Sequence, residues 1–328
     1  MEETQTIPRL TRRSFLRSSL ACTAVFLLGA GASAGSAPLT IKHPNHFRIL
    51  QLTDLHFFSH DKDVRDAFNE RTVENIHKLV KQAKPDLLMI TGDVWSENPE
   101  GMGETWMRYA IGQFKALGVP WAFTWGNHDQ VSDYSVAHDA FSKAKNSLYR
   151  GRGSDGNYAI DIDDKNHQRV WQIVCLNSHR DGLQTAQQEW LQELVKGDPV
   201  PVPRFAFFHI PLKQYDEVWK NGTAVGVKGE DVCMEKEDGS TLAVLKAAGV
   251  RACFCGHDHQ NDYSGVADGV ELVYGRVSRA GGYGADIFPK GGKIITVNCR
   301  TGLYEWESLT PDGVRWHPKP GERLEIPN

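Results

Sequence analysis

The chain has 328 residues, with 37 Lys+Arg against 41 Asp+Glu and a formal net charge of −4. At 40% hydrophobic and 24% charged it has the composition of a folded globular protein, which excludes a disordered chain. The mild acidity lacks the basic footprint of a nucleic-acid or anionic-membrane binder, and six Cys without a C-x-x-C pair fit no disulfide framework at this length.

Residues Thr11 to Arg17 read T-R-R-S-F-L-R. A chargeless stretch follows from Ser18 to Ile41, apolar around Leu20 to Leu28 and then small-residue-rich up to Ala32-Ser33-Ala34. A basic start, a short apolar centre and an A-x-A site are the parts of a bacterial export signal. The pair Arg12 and Arg13 ahead of Phe15 and Leu16 resembles the twin-arginine form. A membrane anchor is the alternative, but the apolar core is shorter than the roughly 20 strongly apolar residues a span requires. Residues 1–34 are therefore predicted to address the chain to the twin-arginine export machinery. The mature protein is then periplasmic or secreted, with no stable membrane span. Residues 35–45 read as a linker, 46–310 as one folded domain, and 311–328, with Pro311, Pro318, Pro320 and Pro327, as an extended tail.

Along the domain, F-R-I-L-Q-L at Phe47 to Leu52 predicts a strand. Val73, Ile76, Val80 and Ala83 share a helical face. After Pro85, Asp86 to Ile90 reads as a second strand, Trp106 to Leu117 as a helix with Gly118 as its C-cap, and Trp121 to Trp125 as a third strand. This alternation predicts βαβ units and a parallel start to a sheet. Tyr158 to Ile162, Val170 to Leu176 and Phe205 to Phe208 follow as strands, with a helix over Gln187 to Val195. Lys213 to Lys220 is helix-like, and the polar segment Asn221 to Gly239 reads as a surface excursion. Ser240 is placed to cap a helix that Gly249 closes. Val250 to Cys255, Leu272 to Tyr274, Ile294 to Val297 and Leu303 to Trp306 complete the strands. Cys253 and Cys255 share one strand face and read as small buried residues.

The chemistry-bearing residues sit just after the predicted strands. Asp54 and His56 follow the first in T-D-L-H, Asp93 the second in T-G-D, and Asn127, His128 and Asp129 the third in G-N-H-D. His209 follows Phe208, and His257 and His259 follow Cys255 in G-H-D-H. Ligands of open α/β sheets bind at that edge. So many ionisable groups buried together are costly without a compensating charge. Two cations would supply it, because two carboxylates, one amide oxygen and four imidazoles suit a pair of divalent transition-metal ions: Mn, Fe, Zn or Co rather than Ca or Mg. Two ions about 3.5–4 Å apart clamp a phosphoryl group and generate hydroxide near neutral pH. A carboxylate is the natural bridge between them, and His128, with Asp129 beside it, is a candidate general acid for the leaving oxygen.

This ordered series resembles the calcineurin-like metallophosphoesterases, whose motifs are D-x-H, G-D, G-N-H-D/E, a lone H and G-H-x-H, across Phe47 to Val297. T-G-D, P-W-A-F-T-W-G-N-H-D-Q, F-F-H-I-P-L and G-H-D-H-Q-N-D look like the branch related to purple acid phosphatases. The resemblance implies a four-layer αββα sandwich over 46–310. It also implies one metal on Asp54, His56 and His259, the other on Asn127, His209 and His257, with Asp93 bridging. His128 would protonate the leaving group with Asp129 behind it. Ser96 stands where true purple acid phosphatases carry the tyrosine that colours the ferric site, and His56 is a residue they lack. No tyrosinate-to-iron colour is therefore expected.

His60, Trp95, His179, Arg279 and Tyr283 lie on the same strand-end or Gly-rich loops and are candidates to contact a small phosphorylated substrate. For Trp95 the alternative is a helix wedge, and for Arg279 and Tyr283 a solvated Gly-rich turn. The motif set leaves open a phosphomonoesterase, a phosphodiesterase or pyrophosphatase acting on nucleotides or lipid headgroups, and a non-catalytic metal-binding protein. The last is disfavoured because no ligand or acid is missing.

Overall fold

The computed structural model describes residues 36–58, 65–198, 201–284 and 288–326. The export signal predicted for 1–34 lies outside them, as does His60. In chain order the elements are β1 (Ser36–Thr40), β2 (Phe47–Leu52), α1 (Arg65–Ala83), β3 (Leu87–Thr91), α2 (Gly103–Ala116), β4 (Trp121–Thr124), α3 (Tyr134–Lys143), β5 (Tyr158–Asp163), β6 (Arg169–Cys175) and α4 (Thr185–Lys196). They continue with β7 (Arg204–Phe207), α5 (Lys213–Lys220), β8 (Val225–Lys228), α6 (Thr241–Ala247), β9 (Val250–Cys255), β10 (Asn261–Ala267), β11 (Val270–Tyr274), β12 (Gly292–Asn298), β13 (Leu303–Leu309), β14 (Arg315–Trp316) and β15 (Arg323–Glu325).

The strands form two sheets. One has six strands in the order β14-β13-β12-β2-β3-β4, the other nine in the order β1-β5-β6-β7-β9-β11-β10-β8-β15. Strands β2, β3 and β4 are parallel neighbours, as their βαβ alternation requires. Side-chain alternation explains why the larger sheet reads as continuous apolar runs. Phe205, Phe207, Ala252 and Phe254 join Ile49, Leu88 and Ile295 in one core. Their neighbours Ala206, Cys253 and Cys255 turn the other way and pack with Leu191, Tyr215, Leu242 and Leu245 of α4 to α6. Ile76, Leu79, Met107 and Phe114 of α1 and α2 belong to the first core. The result is the expected α/β architecture of four αββα layers. Each fully buried Phe or Leu in it contributes roughly 1.5–3 kcal/mol of transfer free energy.

Several elements depart from the sequence reading. The predicted linker over 35–45 contains β1, which pairs in parallel with β5 at one edge of the nine-stranded sheet and buries Ala37. S-A-P-L-T has no apolar period of its own, and its order comes from the partner strand. In the predicted tail, β14 extends β13 and β15 extends β8. Helix α3 was not anticipated, although Asp133 caps it by accepting the Ser135 and Val136 N–H groups, and Ala137 and Phe141 are buried one turn apart. Ser240 makes no capping bond, and its hydroxyl accepts from Gln188 instead. Among the described residues no helix is long and apolar enough to cross a membrane.

Candidate metal centre

The loops after β2, β3 and β4 meet those after β7 and β9 where the two sheets' strand ends converge. The junction is stitched by backbone bonds: Asp54 N–H to Gly92 O (3.1 Å), His56 N–H to Asp93 O (2.9 Å) and Gly256 N–H to His209 O (3.0 Å). Close approach requires glycine here. A Cβ on Gly126 would lie 2.2 Å from Asp93 Oδ1, and one on Gly256 would lie 2.0 Å from Thr53 Oγ1. Asp54, His56, Asp93 and His257 all adopt left-handed backbone, with φ of 53°, 43°, 51° and 77°. Such strain persists only where the surroundings over-determine it, and it clusters at functional sites.

Each carboxylate is held by one oxygen and presents the other. Asp54 Oδ2 accepts the Thr53 hydroxyl and the His257 N–H, while the buried Oδ1 has no hydrogen-bond partner. Oδ1 lies 3.3 Å from His259 Nε2 and 3.8 Å from His56 Nε2. Asp93 Oδ1 accepts the His128 N–H, and Oδ2 lies 3.1 Å from His209 Nε2 and 3.7 Å from His56 Nε2. The imidazoles are oriented in the same way. His209 Nδ1 donates to Thr91 O, and His56 Nδ1 faces Ser96 Oγ at 3.4 Å, so both turn Nε2 inward. His56 and His259 meet Nε2 to Nε2 at 3.2 Å, His257 Nδ1 approaches His209 Nε2 at 3.2 Å, and Asn127 Oδ1 approaches it at 3.1 Å.

The donors thus form two groups, Asp54, His56 and His259, and Asp93, His209 and His257. Asn127 adjoins the second, and Asp93 Oδ2 lies within reach of both. Their separations match the donor–donor edges, roughly 3–3.5 Å, of a polyhedron with bonds near 2.0–2.2 Å. The charges point the same way. Burial raises the Asp54 and Asp93 carboxyls, but the close approach of His259 to Asp54 and the charge of His209 beside both outweigh it and hold them well below the usual carboxylate range. Burial lowers His56 to about 3 and, with the charge of His209, His257 to about 4. Burial opposes protonation of His209, yet ionised Asp93 raises it to about 10. Two buried carboxylates, an orphaned carboxylate oxygen and imidazole nitrogens facing one another are what a cationic cofactor would satisfy. The donor set fits divalent metal ions.

The predicted acid and its carboxylate separate. The His128 side chain is 39% exposed, and its ring lies edge-on to that of His56 at 5.3 Å. Asp129 does not stand behind it. The Asp129 carboxylate is buried and accepts the N–H groups of Asp93, Val94, Trp95 and Gly126 at 2.8–3.3 Å, tying the T-G-D loop to the G-N-H-D loop. The carboxylate beside the His128 ring is Glu97, at 3.6 Å. The sequence reading missed Glu97, although it lies four residues after Asp93 on the same loop.

Trp95 is fully buried among Phe123, Trp125 and Phe141, and its indole N–H donates to Gln130 O. It is the wedge and not a substrate platform. The Arg279 guanidinium lies over Phe68 of α1. Tyr283 does reach the centre: its ring stacks on His259 at 4.5 Å and its hydroxyl donates to Glu230. His179 pairs with Asp155 and lines a cleft of about 400 Å³ that adjoins Asn127, together with Tyr134, His138 and Arg180.

The family model described as calcineurin-like phosphoesterase matches residues 47–261. The Arabidopsis thaliana protein named probable inactive purple acid phosphatase 28 is 27% identical over 320 residues, covering 83% of this chain and 80% of that protein. Phosphatase DCR2 of Saccharomyces cerevisiae is 25% identical, over 80% of this chain and 54% of its own length. Among solved structures, a dimetal phosphatase from Danio rerio superposes with a TM-score of 0.54 at 13% identity, covering 80% of this chain and 95% of that one. A purple acid phosphatase from yellow lupin (Lupinus luteus) seeds gives 0.51 at 12% identity, over 86% and 54%. At these identities the structural likenesses establish the fold alone.

Proposed function

The chain belongs to the calcineurin-like phosphoesterase family, and from that premise we propose that it is an exported hydrolase of phosphate esters working with two divalent transition-metal ions. The observation that carries this reading is the pair of donor groups sharing Asp93. Asp54, His56 and His259 would hold one ion, and Asn127, His209 and His257 the other, with Asp93 common to both. When bound, such a pair neutralises phosphate charge and supplies a nucleophile near neutral pH. The chain's own groups do the rest. Thr53, Ser96 and Thr91 O fix the ligand side chains, and Asp129 fixes the two loops. His128, outside both donor groups and beside Glu97, delivers the proton to the leaving oxygen.

Three relatives from Arabidopsis thaliana carry the word inactive in their names, whereas Phosphatase DCR2 does not. Against that, this chain keeps a complete donor set and a free-standing acid, which favours catalysis over metal binding alone. The cleft beside Asn127 leaves room for a second ester arm, so a phosphodiesterase is the alternative. Export through the twin-arginine route rests on Arg12 and Arg13 and would deliver the folded protein to the periplasm or the medium.

The test is hydrolysis of para-nitrophenyl phosphate and bis-para-nitrophenyl phosphate after chelation and re-addition of single metals. Turnover restored by Mn, Fe, Zn or Co supports the proposal, and the ratio of the two rates chooses between monoester and diester. Two bound metals with no turnover of either ester would contradict it.

A further inference from the structure

Cys233 belongs to neither inner donor group, yet it is held in place. Its backbone N–H points at the Asp258 carboxylate, 3.3 Å from Oδ1 and 3.4 Å from Oδ2, and Asp258 stands between His257 and His259 in the G-H-D-H turn. The side chain follows: Cys233 Sγ lies 3.4 Å from Glu235 Oε1. The same Glu235 oxygen lies 3.9 Å from His257 Nε2. The three donor atoms sit within 4.8 Å of one another.

His257 makes this more than a surface thiol beside a carboxylate. Its Nδ1 faces His209 and the inner donor group. Its Nε2 is buried with no hydrogen-bond partner, on a side chain that is 11% exposed, and it is turned toward Glu235. A buried imidazole nitrogen without a partner carries an uncompensated desolvation cost.

We propose that Cys233, Glu235 and His257 Nε2 form a third metal site on the outer side of His257, suited to Zn²⁺ or another thiolate-binding transition-metal ion. The donor set, one sulfur, one nitrogen and one oxygen, excludes Mg²⁺ and Ca²⁺ and leaves a fourth position open to water. On binding, the thiol proton and the Nε2 proton pass to bulk water. His257 then carries a metal on each nitrogen, so the site rests on the reading that its Nδ1 serves the inner pair. The other cysteines among the described residues, Cys175, Cys253, Cys255 and Cys299, are buried, which leaves Cys233 as the accessible thiol of that set.

The test uses the full chain, stripped by chelation and titrated with Co²⁺ under reducing conditions, with metal content measured in parallel. The wild type is expected to take up a third equivalent, with a near-ultraviolet thiolate-to-cobalt charge-transfer band. Cys233→Ser should lose both band and third equivalent, keep two equivalents, and hydrolyse para-nitrophenyl phosphate at the wild-type rate. Glu235→Gln should weaken the third equivalent at least tenfold and leave the first two unchanged. A wild type without the band, or a band that survives in Cys233→Ser, overturns the outer site. A count below two in Cys233→Ser speaks separately against the inner pair.

Discussion

Replacing His128 by Ala separates the proposed acid from the metal ligands. The imidazole lies outside both donor groups, and the bond the residue gives Asp93 comes from its backbone N–H, which alanine keeps. With 39% of the side chain exposed, removing it should cost the fold no more than about 0.5 kcal/mol and leave the metal content unchanged. A positioned general acid contributes about 10²–10⁴-fold, or roughly 3–5.5 kcal/mol of barrier. That contribution is needed only when the leaving oxygen cannot depart unprotonated. The assay is kcat/KM for an alkyl phosphate beside para-nitrophenyl phosphate, whose phenolate leaves without a proton. The alkyl ester should lose at least about a hundredfold and the nitrophenyl ester far less. Equal losses on both esters, or a loss of metal, would refute the reasoning. Glu97→Gln should give a smaller loss with the same leaving-group bias, about two- to fivefold, since a half-exposed ion pair is worth roughly 0.2–1 kcal/mol.

Asp93→Asn should lose metal as well as turnover, because Oδ2 serves both donor groups; full metal content measured by elemental analysis would contradict that. Gly126→Ala should do the same without changing a ligand, since its Cβ would lie 2.2 Å from Asp93 Oδ1. Its thermal unfolding should show a loss on the order of 2–4 kcal/mol, and a wild-type melting temperature would contradict it. The metal-free protein should weaken in alkali. Burial opposes the His209 charge but Asp93 raises the group from 6.5 to about 10, so its contribution is complete below about pH 6.5 and lost as pH rises through 10. Metal uptake requires the neutral ring, so melting curves of the chelated protein should fall over that interval while those of the loaded protein hold. A chelated protein that grows more stable toward pH 10 would contradict the sign. Lys at both Arg12 and Arg13 should stop export of a reporter fused behind residues 1–34; unchanged export would refute the twin-arginine reading.

The candidate centre was legible because its donors are local to strand ends. T-D-L-H, T-G-D, G-N-H-D and G-H-D-H each follow an apolar run, and the two sheets bring those ends together. The strands were legible where one side chain in two, or every one, had to be buried. What escaped notice depended on partners far along the chain. Strand β1 is ordered by β5, and β15 by β8. Strand β10 was overlooked because N-D-Y-S-G-V-A follows the metal motif and looks polar, yet Asp268-Gly269, both at positive φ, is a two-residue hairpin signal joining it to β11. Asp129 misled for a related reason. Adjacency in G-N-H-D suggested a His–Asp pair, but neighbouring side chains on a tight turn point apart, and this carboxylate is occupied by four amides. The partner of His128 had to be found across space, in Glu97.

The most direct test of the central claim is anomalous diffraction at the manganese edge from crystals of the Mn-loaded chain. Two peaks are expected within the donor cluster, about 3.5–4 Å apart as in two-metal hydrolases. One should lie among Asp54, His56 and His259, the other among Asn127, His209 and His257, with Asp93 between them. A single peak in crystals whose dissolved protein hydrolyses para-nitrophenyl phosphate would contradict it.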